Sequence, residues 1–232
     1  MYGERVSVTK GYGTPQAATW QYAYDRATLG VTSVTDPNGH VTTTTYDAKG
    51  NPLTVTDALG RRTVSTYNAL NEVTSVTDPL GVTSTMTYDT AGNLRTTSRP
   101  LTGTSHVQTT RLHYGDTAHP GDVTSMTDAD LNTWIYRYDR YGNKTSATDP
   151  LGNRATSTYN TIGWVMATTS PKGNVIPVNP ARYTTTVEHN AFGDVTTTTD
   201  PLGHRTLRHY DPHRNLDRLT DAKGNVTHYT YD

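Results

Sequence analysis

The chain has 232 residues, a formal net charge of −1, no Cys, and one Phe against sixteen Tyr. Without Cys there are neither disulfides nor thiolate metal sites. The near-neutral charge gives no basic stripe for nucleic acid, and no run of about eighteen apolar residues exists to span a membrane. Leu, Ile, Val and Phe together make about 16% of the chain, under the roughly 20% at which a highly charged chain stays disordered. Here the charge is low and about one residue in five is Thr. The composition therefore reads as a β protein with a thin apolar core, because Thr and Tyr tolerate half-wet strands.

The N-terminal stretch "MYGERVSVTKGYG" lacks the apolar segment of a signal peptide. Residues 1–23 read as a degenerate first repeat: "RVSVTKGYG" is an outgoing strand and turn, and "TWQYAYD" a return strand. From residue 24 to 232 the chain is a repeat array of about nine units. Its anchor falls at Tyr24, Tyr46, Tyr67, Tyr88, Tyr114, Tyr138, Tyr159, Tyr210 and Tyr231, with His189 taking the place once. Six of the nine spacings are 21 or 22 residues, and the others are 26, 24 and 30. Asp or Asn follows most anchors, and a second turn motif, such as "TDALGR" or "TDPLGV", recurs midway.

Each motif is a turn signal. A type I turn favours Asp or Asn first, Pro second and Gly fourth. Asp78-Pro79-Leu80-Gly81 meets all three preferences and Asp47-Ala48-Lys49-Gly50 two. The carboxylate accepts N–H groups inside the turn, and Gly50, Gly81 and Gly152 supply the positive φ that re-enters a strand as a bulge. Strands of about six residues lie between, as in "NPLTVT" out and "RRTVSTY" back, with a reversal every ten or eleven residues. The expected fold is all-β, an antiparallel meander of hairpins forming a long curved sheet. Neither face of "VTSTMTY" or "NTWIYRY" is consistently apolar, so water is expected near both. Cross-strand Tyr and Thr pairs would then supply most of the stabilisation, at roughly 0.2–1 kcal/mol each. Longer turns are expected near 98–106, 115–122 and 171–182, where loops on a regular scaffold either carry binding or are tolerated insertions.

Chemistry-bearing constellations are sparse. The nine histidines, His40, His106, His113, His119, His189, His204, His209, His213 and His228, show no tight ligand spacing. The nearest group, His204, His209 and His213, surrounds one turn without a Cys partner. Each Asp-x-x-Gly supplies one carboxylate rather than the crowded acids of a Ca²⁺ loop, and no nucleophile elbow is present. No catalytic, cofactor-binding or metal-binding residue is assigned, and no enzymatic activity is expected.

"YDAKGNPLTVTDALG", "YDTAGNL" and "YDRYGNKTSATDPLGN" resemble the YD repeat of the RHS family over about 24–232. That family includes bacterial Rhs polymorphic toxins, the shell of Tc insecticidal toxin complexes, wall-associated bacterial proteins and animal teneurins. The resemblance implies a section of a spiralling β-shell that encloses a C-terminal toxin. The terminal core segment with self-cleaving Asp residues is missing, as is a toxin domain, so the expectation is shell wall within a longer protein, secreted or on a bacterial surface. Its partners would be the remaining shell repeats and an enclosed toxin domain, with self-association of the isolated section through open edges. The alternative is a cell-surface module that contacts glycans or other cells.

Overall fold

The computed structural model describes residues 3–175 and 179–232, so part of the long turn expected near 171–182 lies outside the described residues. The chain is all-β, as the turn spacing implies, and forms two units that divide between Arg111 and Leu112. In the first, the strands are β1 (Ser7–Lys10), β2 (Ala18–Tyr24), β3 (Val31–Thr35), β4 (Val41–Tyr46), β5 (Pro52–Thr56), β6 (Arg62–Tyr67), β7 (Val73–Thr77), β8 (Thr83–Tyr88), β9 (Leu94–Pro100) and β10 (Val107–His113), which pairs with β9 as far as Arg111. The second holds β11 (Ser125–Thr127), β12 (Thr133–Tyr138), β13 (Lys144–Thr148), β14 (Arg154–Tyr159), β15 (Val165–Thr169), β16 (Thr184–His189), β17 (Val195–Thr199), β18 (Arg205–Tyr210), β19 (Leu216–Thr220) and β20 (Val226–His228). Within each unit every strand pairs antiparallel with its sequence neighbours. Among the described residues the only helical turns are two short 3-10 segments, Pro171–Asn174 and Pro180–Tyr183.

One turn explains the rest. The Asp78 carboxylate oxygen Oδ1 accepts from the N–H of Leu80 at 2.9 Å and of Val82 at 3.0 Å. The Gly81 N–H donates to the Asp78 carbonyl at 2.9 Å, and the Asp78 N–H to the Val82 carbonyl at 3.0 Å. Gly81 has φ 80, so a type I turn closes into a glycine bulge, as expected. Asn71, Leu131 and Arg214 occupy the glycine position with φ between 66 and 68, and Leu29 takes φ 58 one residue further on in its longer turn.

A second irregularity recurs at the other end of the strands. In the β4–β5 ladder Thr45 pairs with Thr54 and Tyr46 with Pro52, which leaves Leu53 as an extra residue. The same bulge sits opposite Tyr24, Tyr67, Tyr88, Tyr138, Tyr159, His189 and Tyr210.

No apolar residue is buried among those described, and the buried polar side chains are Ser146 and Thr197. The chain exposes 15812 Å², against roughly 10,000 Å² for a globular monomer of its mass. Cohesion therefore comes from the ladders. Hydroxyls pair across strands at Thr45–Thr54 (2.7 Å), Thr77–Thr83 (2.8 Å), Thr87–Thr96 (2.7 Å) and Thr169–Thr184 (2.8 Å). Along β2 the Trp20, Tyr22 and Tyr24 face is half-covered while Thr19, Gln21 and Ala23 are exposed. The aromatic rings thus shield one face in part, and the other stays wet.

Candidate functional site

The repeated Tyr does more than pack. Tyr46 donates its hydroxyl to the Val31 carbonyl, Tyr67 to Pro52, Tyr88 to Val73, Tyr138 to Val123, Tyr159 to Lys144, Tyr210 to Val195 and Tyr231 to Leu216, all at 2.8–3.0 Å and all fifteen residues back. In most cases the acceptor is the residue that pairs with the preceding anchor: Val31 faces Tyr24, and Pro52 faces Tyr46. A hairpin such as β5–β6 is joined covalently at its midpoint turn and open at its other end. The bulge loosens that open end, and the phenol closes it. Phe cannot do this, which explains Tyr rather than Phe at these seven anchors.

Because strands alternate in direction, the turns after the anchors line one edge of each ladder and the midpoint turns line the other. Along the anchor edge, neighbouring turns touch. In the first unit Lys49 Nζ donates to the Ala69 carbonyl at 2.9 Å, and Asn51 Nδ2 to Asn71 Oδ1 at 3.0 Å. In the second, Arg214 pairs with Asp194 at 2.6 Å, and a Cβ on Gly193 would lie 2.7 Å from the Trp164 ring. Along the midpoint edge, a Cβ on Gly39, Gly60, Gly81, Gly152, Gly203 or Gly224 would meet nothing within 4 Å. Leu59, Leu80, Leu151 and Leu202 stand bare at four of the tips there, with Leu80 84% and Leu151 88% exposed.

The turn carboxylates are held below their ordinary range. For Asp47 the first cause is the Asn51 side chain, for Asp57 the Arg61 side chain, and for Asp78 the Val82 backbone N–H. These bonds fill both carboxylate oxygens, which leaves Asp57 and Asp47 as turn locks.

The histidines do not converge. His204 pairs with Asp200 at 2.9 Å in a midpoint turn, His209 with Asp217 at 2.6 Å between β18 and β19, and His213 sits in the anchor turn at the opposite end of β18 from His204. His40 repeats the His204 arrangement with Asp36 at 2.9 Å. His189 stacks on Trp164 with ring centroids 5.4 Å apart, and its Nδ1 is buried without a partner. Among the described residues no group of three His, Asp or Glu is arranged to hold a metal ion. Among the described residues no helix is long and apolar enough to cross a membrane, which says nothing of strands. The surface hollows are shallow; one of about 400 Å³ is lined by Val55, Asp57, Arg61, Thr63, Asp78, Pro79 and Leu80.

The RHS repeat model matches residues 24–62, 67–104 and 121–154. The chain belongs to the RHS-repeat family. Among solved structures, the RHS chain is similar to the TcdB2–TccC3 complex, with a TM-score of 0.62, 16% identity and 97% of this chain covered. It is also similar to the Tc holotoxin pore of Photorhabdus luminescens, with a TM-score of 0.61, 17% identity and 97% covered. It spans 14% of the length of each of those chains, so the likeness is one of fold. No curated protein matches the sequence.

Proposed function

We propose that this RHS chain is a non-catalytic wall: a section of a larger β-shell, from a bacterial toxin that is secreted or held at the cell surface, that keeps a toxic cargo domain apart from its surroundings. The observation that carries the reading is the fifteen-residue Tyr clamp in a ladder with no buried apolar core. A sheet stabilised between nearest neighbours can be extended indefinitely and still present two hydrated faces, which a wall requires and a globular domain does not. The fold shared with the TcdB2–TccC3 complex supports it. The partners are then other RHS repeats and the enclosed protein. The test is limited proteolysis of the full reading frame. Its C-terminal segment should resist protease in the parent and become cleavable in a Tyr67→Phe/Tyr88→Phe double variant. A C-terminal segment cut equally fast in both would end the proposal.

A second reading, a surface module for glycans, is favoured by the aromatic row Trp134, Tyr136 and Tyr138 on one face of β12, where Lys144 Nζ already sits 4.5 Å from the Tyr136 ring. A glycan array probed with parent and Tyr136→Ala protein separates the two, since only the module would lose binding.

A further inference from the structure

At one anchor of the second unit the phenol is missing. Tyr138, Tyr159 and Tyr210 each close the open end of a hairpin onto a main-chain carbonyl, whereas the anchor that ends β16 is His189. The carbonyl in the acceptor position is that of Val165. Val165 pairs with the preceding anchor Tyr159, just as Val195 pairs with His189 and accepts from Tyr210. An imidazole holds its nitrogens closer to the backbone than a phenol holds its oxygen, and it does not make the bond. His189 Nδ1 is buried without a partner, and the ring rests instead on Trp164, with centroids 5.4 Å apart and planes at 39°.

What holds β15 to β16 lies toward the other end of the hairpin. Ala167 pairs with Thr186, Thr168 with Thr185 and Thr169 with Thr184. The Thr169 and Thr184 hydroxyls meet at 2.8 Å, and the Ser170 N–H donates to the Tyr183 carbonyl at 3.0 Å. The strands are joined there by a long connection from Ser170 to Tyr183 in place of a tight Asp-x-x-Gly turn, and a longer loop costs more entropy to close. The His189 end has only the Trp164 ring, which also fills the space over Gly193. Ring packing is non-directional and tolerates small separations, whereas a hydrogen bond weakens steeply with misalignment.

We propose that the β15–β16 hairpin is a built-in seam of the second unit: its end at Val165 and His189 parts before the phenol-clamped ends of β13–β14 and β17–β18. Each strand of the ladder is stabilised by its nearest neighbours. Parting at this joint therefore leaves the clamps of Tyr159 on Lys144 and of Tyr210 on Val195 in place on either side. The two halves stay folded while the joint between them opens. Such a seam is a property of the ladder and stands whether or not the ladder encloses a cargo.

The test is residue-resolved amide hydrogen exchange, read by NMR on the whole chain at a single pH and corrected for intrinsic rates. Amides shared between β15 and β16 should exchange about fivefold faster than those shared within β13–β14 or β17–β18, the weight of one net hydrogen bond. His189→Tyr restores a donor of the right length and should bring β15–β16 to the level of its neighbours. His189→Phe keeps a ring without a donor and should leave the exchange fast. Equal protection of the three hairpins in the parent protein would overturn the seam. So would slowing by His189→Phe as large as that by His189→Tyr, or exchange that stays fast in a folded His189→Tyr protein. If His189→Tyr does not fold, Tyr159→Phe decides: it should raise exchange within β13–β14 to that of β15–β16, and no rise would sink the idea.

Discussion

Along the anchor edge of each ladder successive turns lean on one another; along the midpoint edge the regular turns stand apart, and links such as Arg99 to Asp78 and Asn174 to the Arg154 carbonyl come from the two long turns. The local turn is the same in both places, with an Asp or Asn, two N–H groups on one carboxylate oxygen or amide oxygen, and a residue at positive φ. The difference lies in the strand ends that flank the turns. The bulge and the Tyr clamp occur only at the anchor end, and they draw the open ends of neighbouring hairpins together. Identical turn chemistry thus yields one edge that resists change and one that tolerates it.

The sharpest way to break this contrast is to add one methyl group at each edge. Gly193→Ala should cost about 3 kcal/mol, because strain at positive φ is joined by overpacking against Trp164. Gly152→Ala meets open space and should cost about 1–2 kcal/mol from φ alone. Urea midpoints of the two variants decide it, and equal losses would erase the distinction. Next in size, Tyr67→Phe should cost about 1 kcal/mol by leaving the Pro52 carbonyl without its donor. Tyr141→Phe, on an exposed turn tip, should be close to neutral by the same measurement.

Acid should weaken both edges alike. The carboxylates of Asp139 and Asp149 are held below 3.8, in each case first by the Asn four residues on. A depressed folded value contributes stability that is present above the unfolded pKa and lost as pH falls through the folded one. The denaturation midpoint should therefore drop steadily below about pH 4. Asp139→Asn and Asp149→Asn should each reduce that drop by a similar amount, since Asn already serves at Asn68, Asn160 and Asn190. A drop abolished by one variant and untouched by the other would show that the edges differ in charge as well as in packing.

The smallest effect has the opposite sign. Leu131 has φ 66 in an exposed midpoint turn, so Leu131→Gly should stabilise by up to about 1 kcal/mol. Arg214→Gly relieves similar strain at the anchor edge but loses the pair with Asp194 and the bond to the Phe192 carbonyl, and should show no gain. Thermal midpoints of the two compare them directly.

The turn motifs made the hairpin meander readable before any coordinates, because Asp, Pro and Gly mark their positions by side-chain chemistry. The bulge opposite each anchor left no such mark. Its extra residue is Leu53, Thr74, Arg95, Thr145 or Met166 in different repeats, and backbone geometry of this kind selects no residue type. The anchor Tyr was visible, but its acceptor is a main-chain carbonyl, which any residue offers. The positive φ of Leu29, Leu131 and Arg214 was equally hidden, since the turn outvotes their preference. Of the histidines, His40 and His204 could have been placed from Asp-x-x-Gly-His, where the fifth residue reaches the second carboxylate oxygen. His119 could not, because it meets Asp116 in a long turn that follows no repeated motif.

The fifteen-residue reach of the phenol has a genetic corollary. Recombination that duplicates or removes one whole cycle, such as the 21 residues from Tyr46 to Tyr67, returns every hydroxyl to a carbonyl of the right kind. Loss of half a cycle instead reverses every later strand relative to the earlier ones, and so carries each later Tyr to the edge that has no bulge to receive it. Arrays of this design can therefore change length in steps of one cycle without passing through a misfolded ancestor.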